Sequence, residues 1–473
     1  MTHIKADYKP FPIKALQGNP LIEALRPAVD IMTFAGKLNF KVEVDDAILL
    51  DDFSRELSVE LIDSTYILPV EIHSLYKTIV KNVLTGYMHR NPLTRDIAHE
   101  QYRVATEEFY HFPKDKNLSK VISVIGLSGA GKTLSIRQCL SFLPQCITHS
   151  DYQGSRFVSQ QIVYLEFQAP VTKTTRGFVL SFFLAVDELI HTDYYRQWRG
   201  KSIPVPNLIQ EAKKVAFNHH VGLVFIDEIQ RCASANAKAD FATLEFIDDF
   251  FNSVGIPLIV AGTYKAAPLF RTTMSTTRRL SSARSFTMDV IKNDLDNLGT
   301  DEPSFWSHFV DAFYYPQLLQ NDFVFDVELK KQVHKLTLGI PALVTRLMRL
   351  AYEEALTSGE EAINIELLQD VYFEQFSLLH PAIESLRKGQ YGGYEDLLPE
   401  SVFKPTKEQQ IEKIIQEDIA FSERLAKKKV KDEDSVYIEV DDVEQDFIPN
   451  ADLRNLKGLS KDELTKTLKG KKK

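Results

Sequence analysis

The stretch Gly126, Leu127, Ser128, Gly129, Ala130, Gly131, Lys132, Thr133 constrains this chain more than any other. It fits G-x-x-x-x-G-K-[ST]. The β-branched run VISVIG leads into it, and the amphipathic pattern TLSIRQCLSFL follows it directly. Glycines let a backbone curl until successive N–H groups converge on an anion. A helix starting there adds unpaired N–H groups and the positive end of its dipole. Lys132 is long enough to reach β- and γ-phosphates, and the Thr133 hydroxyl suits Mg2+. A glycine turn that contains Lys-Thr by chance is the competing reading, and the strand before and helix after count against it. The segment therefore predicts an ATP site. Gly126, Ser128, Gly129, Ala130, Gly131, Lys132, Thr133 and Leu134 would surround the nucleotide, and Thr133 would be a metal ligand.

A second element supports the first. Leu223-Val224-Phe225-Ile226-Asp227-Glu228 reads as an apolar strand ending in two carboxylates. Asp227 is the expected Mg2+ ligand, since Mg2+ prefers hard oxygen donors. Glu228 is the expected general base for an attacking water. Thr263 ends the next apolar run, IPLIVAGT. Strand C-termini of a parallel sheet face the ligand crevice, so Thr263 could position water or touch the γ-phosphate; a plain polar strand end is the alternative. Arg278 and Arg279, with Arg271 and Arg284 nearby, could supply an arginine that crosses to a neighbouring subunit's γ-phosphate. Solvated surface arginines are the competing reading.

The 473 residues fall into four regions. Residues 1–118 carry proline punctuation and one helical pattern, VEIHSLYKTIVKNVLTGYMHRN; they read as an extension for partner docking, without chemistry of their own. Residues 119–290 alternate apolar strands (VISVIG, QIVYLEF, VGLVFID, IPLIVAGT, SFTMDVI) with helices (GFVLSFFLAVDELI, LIQEAKKVAF, FATLEFIDDFFNSVG). That alternation predicts a doubly wound parallel α/β sheet covered on both faces. Residues 291–390 read as a small helical domain, interrupted at Gly339-Ile340-Pro341 and Thr357-Ser358-Gly359. Residues 391–473 are dominated by charges of both signs and end in KGKKK, the composition of a flexible tail.

The formal net charge of −9 does not advertise nucleic acid, although a local basic stripe can act inside an acidic protein. Three cysteines, Cys139, Cys146 and Cys232, lack metal-ligand spacing and suit a reducing compartment. The N-terminal residues lack the apolar core of a signal peptide, and no apolar run approaches the roughly 20 residues of a bilayer span. A cytoplasmic protein without a membrane partner is the expectation. Adjacent His219 and His220 read as solvated loop residues, not zinc ligands.

Taken together, the glycine loop, IDEIQ, IPLIVAGT and the helical region after them resemble AAA+ ATPases, and more narrowly the TnsC/TniB transposition regulators. The flanking segments NPLIEAL, GYMHRNPLT, FVLSFFLAVDELI and LLHPAIESLRKG carry that likeness over residues 18–390. The resemblance implies an AAA+ P-loop sheet with a helical lid and N- and C-terminal extensions. It implies ATP and Mg2+, with Lys132 and Thr133 as phosphate and metal ligands, Asp227 and Glu228 as the Walker B pair, and Thr263 as sensor 1. Arg278 or Arg279 would stand near the arginine-finger position. It also implies a homo-oligomeric ring or helical filament on double-stranded DNA. That assembly would link a TnsD-, TnsE- or TniQ-like selector, or an RNA-guided complex, to a TnsA/TnsB-like transposase, and hydrolysis would take it apart.

Two departures stand out. No arginine follows Gly339-Ile340-Pro341 until Arg346, the only candidate here for sensor 2, and sensor 1 is threonine where asparagine is common. Lys173, Thr175 and Arg176, at a helix start, suit DNA phosphate contacts; a solvated loop is the alternative. Two other functions share parts of the pattern. A helicase loader or initiator-type ATPase has the same core chemistry. A P-loop phosphotransferase acting on a small molecule is disfavoured by Glu228 beside Asp227.

Overall fold

Before the strand that leads into the glycine loop, the chain forms one strand and five α-helices among the described residues: β1 (His3–Lys5), α1 (Pro20–Glu23), α2 (Ile31–Leu38), α3 (Asp52–Glu60), α4 (Ile72–Met88) and α5 (Arg95–Thr106). The 3–4 spacing of α4 buries Leu75, Tyr76, Ile79, Val80, Val83 and Tyr87 on one face. That face shares a hydrophobic core with Ile122, Val124, Phe225 and Ile259 of the central sheet. Each large apolar side chain so buried contributes about 1.5–3 kcal/mol. Polar ends are tied in as well: Tyr87 Oη donates to His220 O at 2.8 Å, and Arg90 Nη1 to Val221 O at 2.7 Å.

The structure, a computed structural model, describes residues 3–389 except 27, 47–48, 70, 108–109, 111–119, 173, 202, 233–246, 248–249, 252, 267–282, 296–303 and 322. The segment read as a tail, residues 391–473, lies outside the described residues, as do Lys173, Arg271, Arg278, Arg279 and most of FATLEFIDDFFNSVG.

The sheet begins with β2 (Val121–Gly126), and α6 (Lys132–Ser141) follows the glycine loop. Next come β3 (Cys146–Tyr152), β4 (Ser155–Ile162), β5 (Leu165–Gln168), α7 (Thr175–Ile190), α8 (Tyr194–Arg199), α9 (Val205–Asn218), β6 (Val224–Asp227), β7 (Leu258–Gly262) and β8 (Arg284–Met288). Five of these strands, in order β5-β6-β7-β2-β8, are all parallel. Helices cover both faces: α7 and α9 lie on one, α4 and α6 on the other. The run QIVYLEF, read as one strand, is two: Gln161 and Ile162 end β4, and β5 starts at Leu165. β4 returns antiparallel along β3, and β1 adds to β3 in parallel, making a second, three-stranded sheet.

Helices α10 (Phe305–Asp311), α11 (Val327–Thr337), α12 (Pro341–Ser358), α13 (Ile365–Gln375) and α14 (His380–Arg387) complete the described chain. Asp326 caps α11 and Asn364 caps α13 through their side chains, and Pro341 opens α12 where no intrahelical N–H is needed. Among the described residues no helix is long and apolar enough to cross a membrane.

Candidate nucleotide site

β2 delivers the glycine loop to the C-terminal edge of the sheet. Gly126 closes β2 against β8, and a Cβ there would stand 1.7 Å from Met288 O, so no side chain fits. Gly129 and Gly131 have φ of 79° and 83°, the left-handed region that glycine enters freely. Gly131 then caps α6, and Lys132 is its first residue. The Lys132 ammonium is buried and donates to Gly126 O at 3.0 Å and Leu127 O at 2.6 Å. A cation is thus held inside the loop that curls around it.

β6 sits two strands from β2 and ends at Asp227. Thr133 Oγ1 donates to Asp227 Oδ2 at 2.7 Å, and the other carboxylate oxygen accepts the Glu228 N–H at 2.8 Å. Glu228 has φ of 56°, where a non-glycine residue is uncommon. Gln230 Nε2 donates to Glu228 Oε2 at 2.6 Å, and Gln230 Oε1 accepts the Thr263 N–H at 3.1 Å. Thr263 follows β7, and its hydroxyl accepts from the Lys265 N–H at 3.3 Å.

A cavity of 1190 Å³ opens in front of the loop. Ser128, Gly129, Ala130, Gly131, Lys132, Thr133 and Leu134 line it, with Glu228 and Thr263 opposite. The Pro341 end of α12 forms another wall, and Ala342 N–H donates to Gly129 O at 3.1 Å. The rest of the wall was not legible in the sequence. Residues 63–69 of the N-terminal region, read as lacking chemistry, line the cavity with Phe40, and Phe309 and Phe313 face it from around α10. Thr65 also meets Tyr315 Oη at 2.5 Å, a contact across 250 positions that no local pattern announces. Gln230, by contrast, was visible as the last letter of IDEIQ.

Several expected site residues stand elsewhere. Arg346 is not at the cavity: its guanidinium donates to Gln375 O at 3.0 Å and lies over the Phe376 ring at 4.8 Å. One helical position earlier, Thr345 is the residue that faces the cavity. Arg176 is bonded within the chain. Its guanidinium donates to the carbonyls of Trp198, Arg199, Lys201 and Ile203, closing the chain after α8. Thr175 begins α7, whose cap is the Thr174 side chain accepting the Gly177 N–H. Arg284 starts β8, pairs with the Ser74 hydroxyl of α4 and lies over Phe286. Of the two adjacent histidines, His219 is half-buried and His220 is buried. His219 Nε2 meets Tyr194 Oη at 3.0 Å, and His220 is buried, where desolvation and the nearby Arg90 hold its pKa down to about 3.

The donor set fits magnesium triphosphate. One hydroxyl and one carboxylate meet at 2.7 Å, both hard oxygen ligands, and Mg2+ usually takes only one or two carboxylates beside phosphate and water. A buried ammonium and a helix N-terminus supply the opposing positive charge.

Residues 116–270, about a third of the chain, match the family model of an AAA domain. This part of the chain is an AAA+ domain. Among solved structures, the chain is similar to the Walker-type ATPase PABY2304 of Pyrococcus abyssi, at 11% identity and a TM-score of 0.36, over 62% of this chain and 77% of that one. It is also similar to the AAA domain of FIGL-1, at 14% identity and a TM-score of 0.28, over 58% and 75% respectively. No curated protein sequence matches the chain. Within the AAA+ domain, β2, β6 and β7 bring Lys132, Thr133, Asp227, Glu228 and Thr263 to one end of one sheet.

Proposed function

We propose that this chain binds Mg-ATP in the cavity and hydrolyses it, and that nucleotide state switches its assembly on double-stranded DNA. One observation carries the first part. Lys132, Thr133, Glu228 and Thr263 face one cavity, and Thr133 is bonded to Asp227 at its edge. The loop N–H groups and Lys132 bind phosphate oxygens. Magnesium, when held by Thr133 and Asp227, neutralises charge developing on the β- and γ-phosphates. Glu228 accepts the proton of the attacking water, and the Thr263 hydroxyl orients that water or the γ-phosphate. The apolar end, with Phe40, Ile67, Leu68, Phe309 and Phe313, suits a flat aromatic base.

The second part rests on the resemblance to TnsC/TniB regulators through NPLIEAL, GYMHRNPLT, IDEIQ, IPLIVAGT and HPAIESLR. On that reading the chain forms a homo-oligomer on DNA between a target selector and a transposase. Arg278 or Arg279 then completes a neighbour's site, and hydrolysis releases the assembly. Phosphate contact at the start of α7 falls to Lys173, Thr175 and the exposed Thr172, because Arg176 is committed to carbonyls.

Gel filtration with double-stranded DNA and a non-hydrolysable ATP analogue tests this reading. The expected result is a large DNA-bound species that needs both nucleotide and Lys132. A monomer that binds nucleotide and ignores DNA would leave the ATPase reading standing and remove the transposition role.

A further inference from the structure

Gln230 lies two residues beyond Glu228, in the 3-10 turn Ile229–Cys232. Its side chain spans two strand ends: Nε2 donates to the Glu228 carboxylate, and Oε1 accepts from the Thr263 backbone. The space for it is close-cut. A Cβ on Gly262, the last residue of β7, would stand 2.7 Å from Gln230 Oε1 and 2.8 Å from Ile229 Cγ2. Glycine there leaves room for the amide. Glu228 is meanwhile held in the left-handed region by its own N–H bond to Asp227 Oδ1. Its backbone is therefore pinned from one side and its carboxylate from the other, while its side chain faces the cavity. Such an arrangement spends one carboxylate oxygen on orientation.

We propose that Gln230 is a positioning residue for ATP hydrolysis: it fixes the direction of the Glu228 carboxylate and ties it to the strand end that carries Thr263. The proposal rests on the reading of Glu228 as the base. Gln230 does not line the cavity that Glu228 and Thr263 face; it acts through Glu228. Direction matters for a base, because misplacement by about 1 Å costs on the order of 100-fold in rate. The same amide makes the Glu228 and Thr263 ends one unit, so a displacement of either is felt at the other.

The test uses the full chain with Q230L, the near-isosteric Q230E, E228Q and the double variant E228Q/Q230L. Steady-state Mg-ATP hydrolysis and affinity for mant-ATP are measured for each. Q230L removes both bonds; Q230E keeps an acceptor for Thr263 and loses the donor to Glu228. The expected result is a fall in kcat on the order of 10- to 100-fold for both Gln230 variants. Their mant-ATP affinity stays within about twofold of wild type, and the double variant is no slower than E228Q. Either Gln230 variant turning over within about twofold of wild type would overturn the proposal. So would a double variant slowed by the full product of the single effects. If E228Q slows hydrolysis while the Gln230 variants do not, only this proposal falls. If the wild type binds no mant-ATP, the reading of the site falls with it.

Discussion

Thr133 and Asp227 are 94 positions apart in the sequence, and their side chains meet at 2.7 Å. The contact joins the first turn of α6 to the end of β6, which are brought together because β2 and β6 both flank β7. Thr133→Val removes the hydroxyl and keeps the shape. One part-buried hydrogen bond contributes about 1 kcal/mol to folding, and leaving the buried Asp227 oxygen without it costs about 1–3 kcal/mol, so the variant should remain folded. Nucleotide affinity measured with Mg2+ should drop to the value found with EDTA. A Mg2+ dependence as strong as in wild type would take Thr133 out of the metal site.

Glu228→Gln keeps the size of the side chain and removes its basicity. Mg-ATP should still bind, and phosphate release should slow by about 10²- to 10⁴-fold, the usual contribution of a general base. Equal phosphate release by wild type and variant would remove Glu228 from the chemistry.

Arg55 ties the N-terminal region to the helices after the sheet. Its buried guanidinium donates to Leu318 O at 3.1 Å and pairs with Glu361, while Lys41 Nζ reaches Tyr314 O at 2.9 Å and Arg349 meets Glu60 at 2.9 Å. Removing one partner of a buried pair leaves the other charge uncompensated. Arg55→Met should therefore cost about 3 kcal/mol in urea unfolding, at the low end for such pairs because Glu361 keeps some solvent contact. A loss below about 1 kcal/mol, the level of an exposed pair, would show that this contact holds little.

His220 gives the fold a pH dependence. Burial, chiefly, and then Arg90, His149 and His219 hold its folded pKa down to about 3, against 6.5 for a free histidine. As pH falls below 6.5 the unfolded chain takes up a proton that the native chain refuses. Native stability is then lost at up to about 1.4 kcal/mol per pH unit for this group, through the window from 6.5 towards 3. His220→Asn suits the left-handed φ of 46° and should flatten the decline of the urea midpoint between pH 7 and 5. His149 and His219, also shifted down by burial, keep part of the slope. Parallel curves for variant and wild type would contradict the assignment.

What the sequence made legible follows a physical division. Asp227, Glu228 and Thr263 were readable because they lie where apolar strands end, and Lys132 and Thr133 because the glycine loop after β2 hands directly to a helix; both are local signals. The placement of Arg176 and Arg346 was not legible because a guanidinium on a helix can turn to carbonyls far along the chain, Lys201 O and Gln375 O here, a choice set by tertiary packing. His220 was misread because Tyr87 of α4 bonds its carbonyl from 133 positions upstream, and Arg90, just past α4, bonds the carbonyl of Val221 beside it. The N-terminal wall of the cavity depends on pairings such as Thr65 with Tyr315, which no periodicity encodes. Gln230 stood in view within IDEIQ, and its bond to the Thr263 strand end appears only once β6 and β7 are side by side.

Isothermal titration of the full chain with Mg-ATP, run beside Lys132→Ala, bears most directly on the site. Saturable binding by the wild type, lost in the Lys132 variant while its thermal unfolding stays cooperative, is the expected result. A folded wild type that gives no binding heat at several temperatures, or a Lys132→Ala protein that binds as tightly, would contradict it.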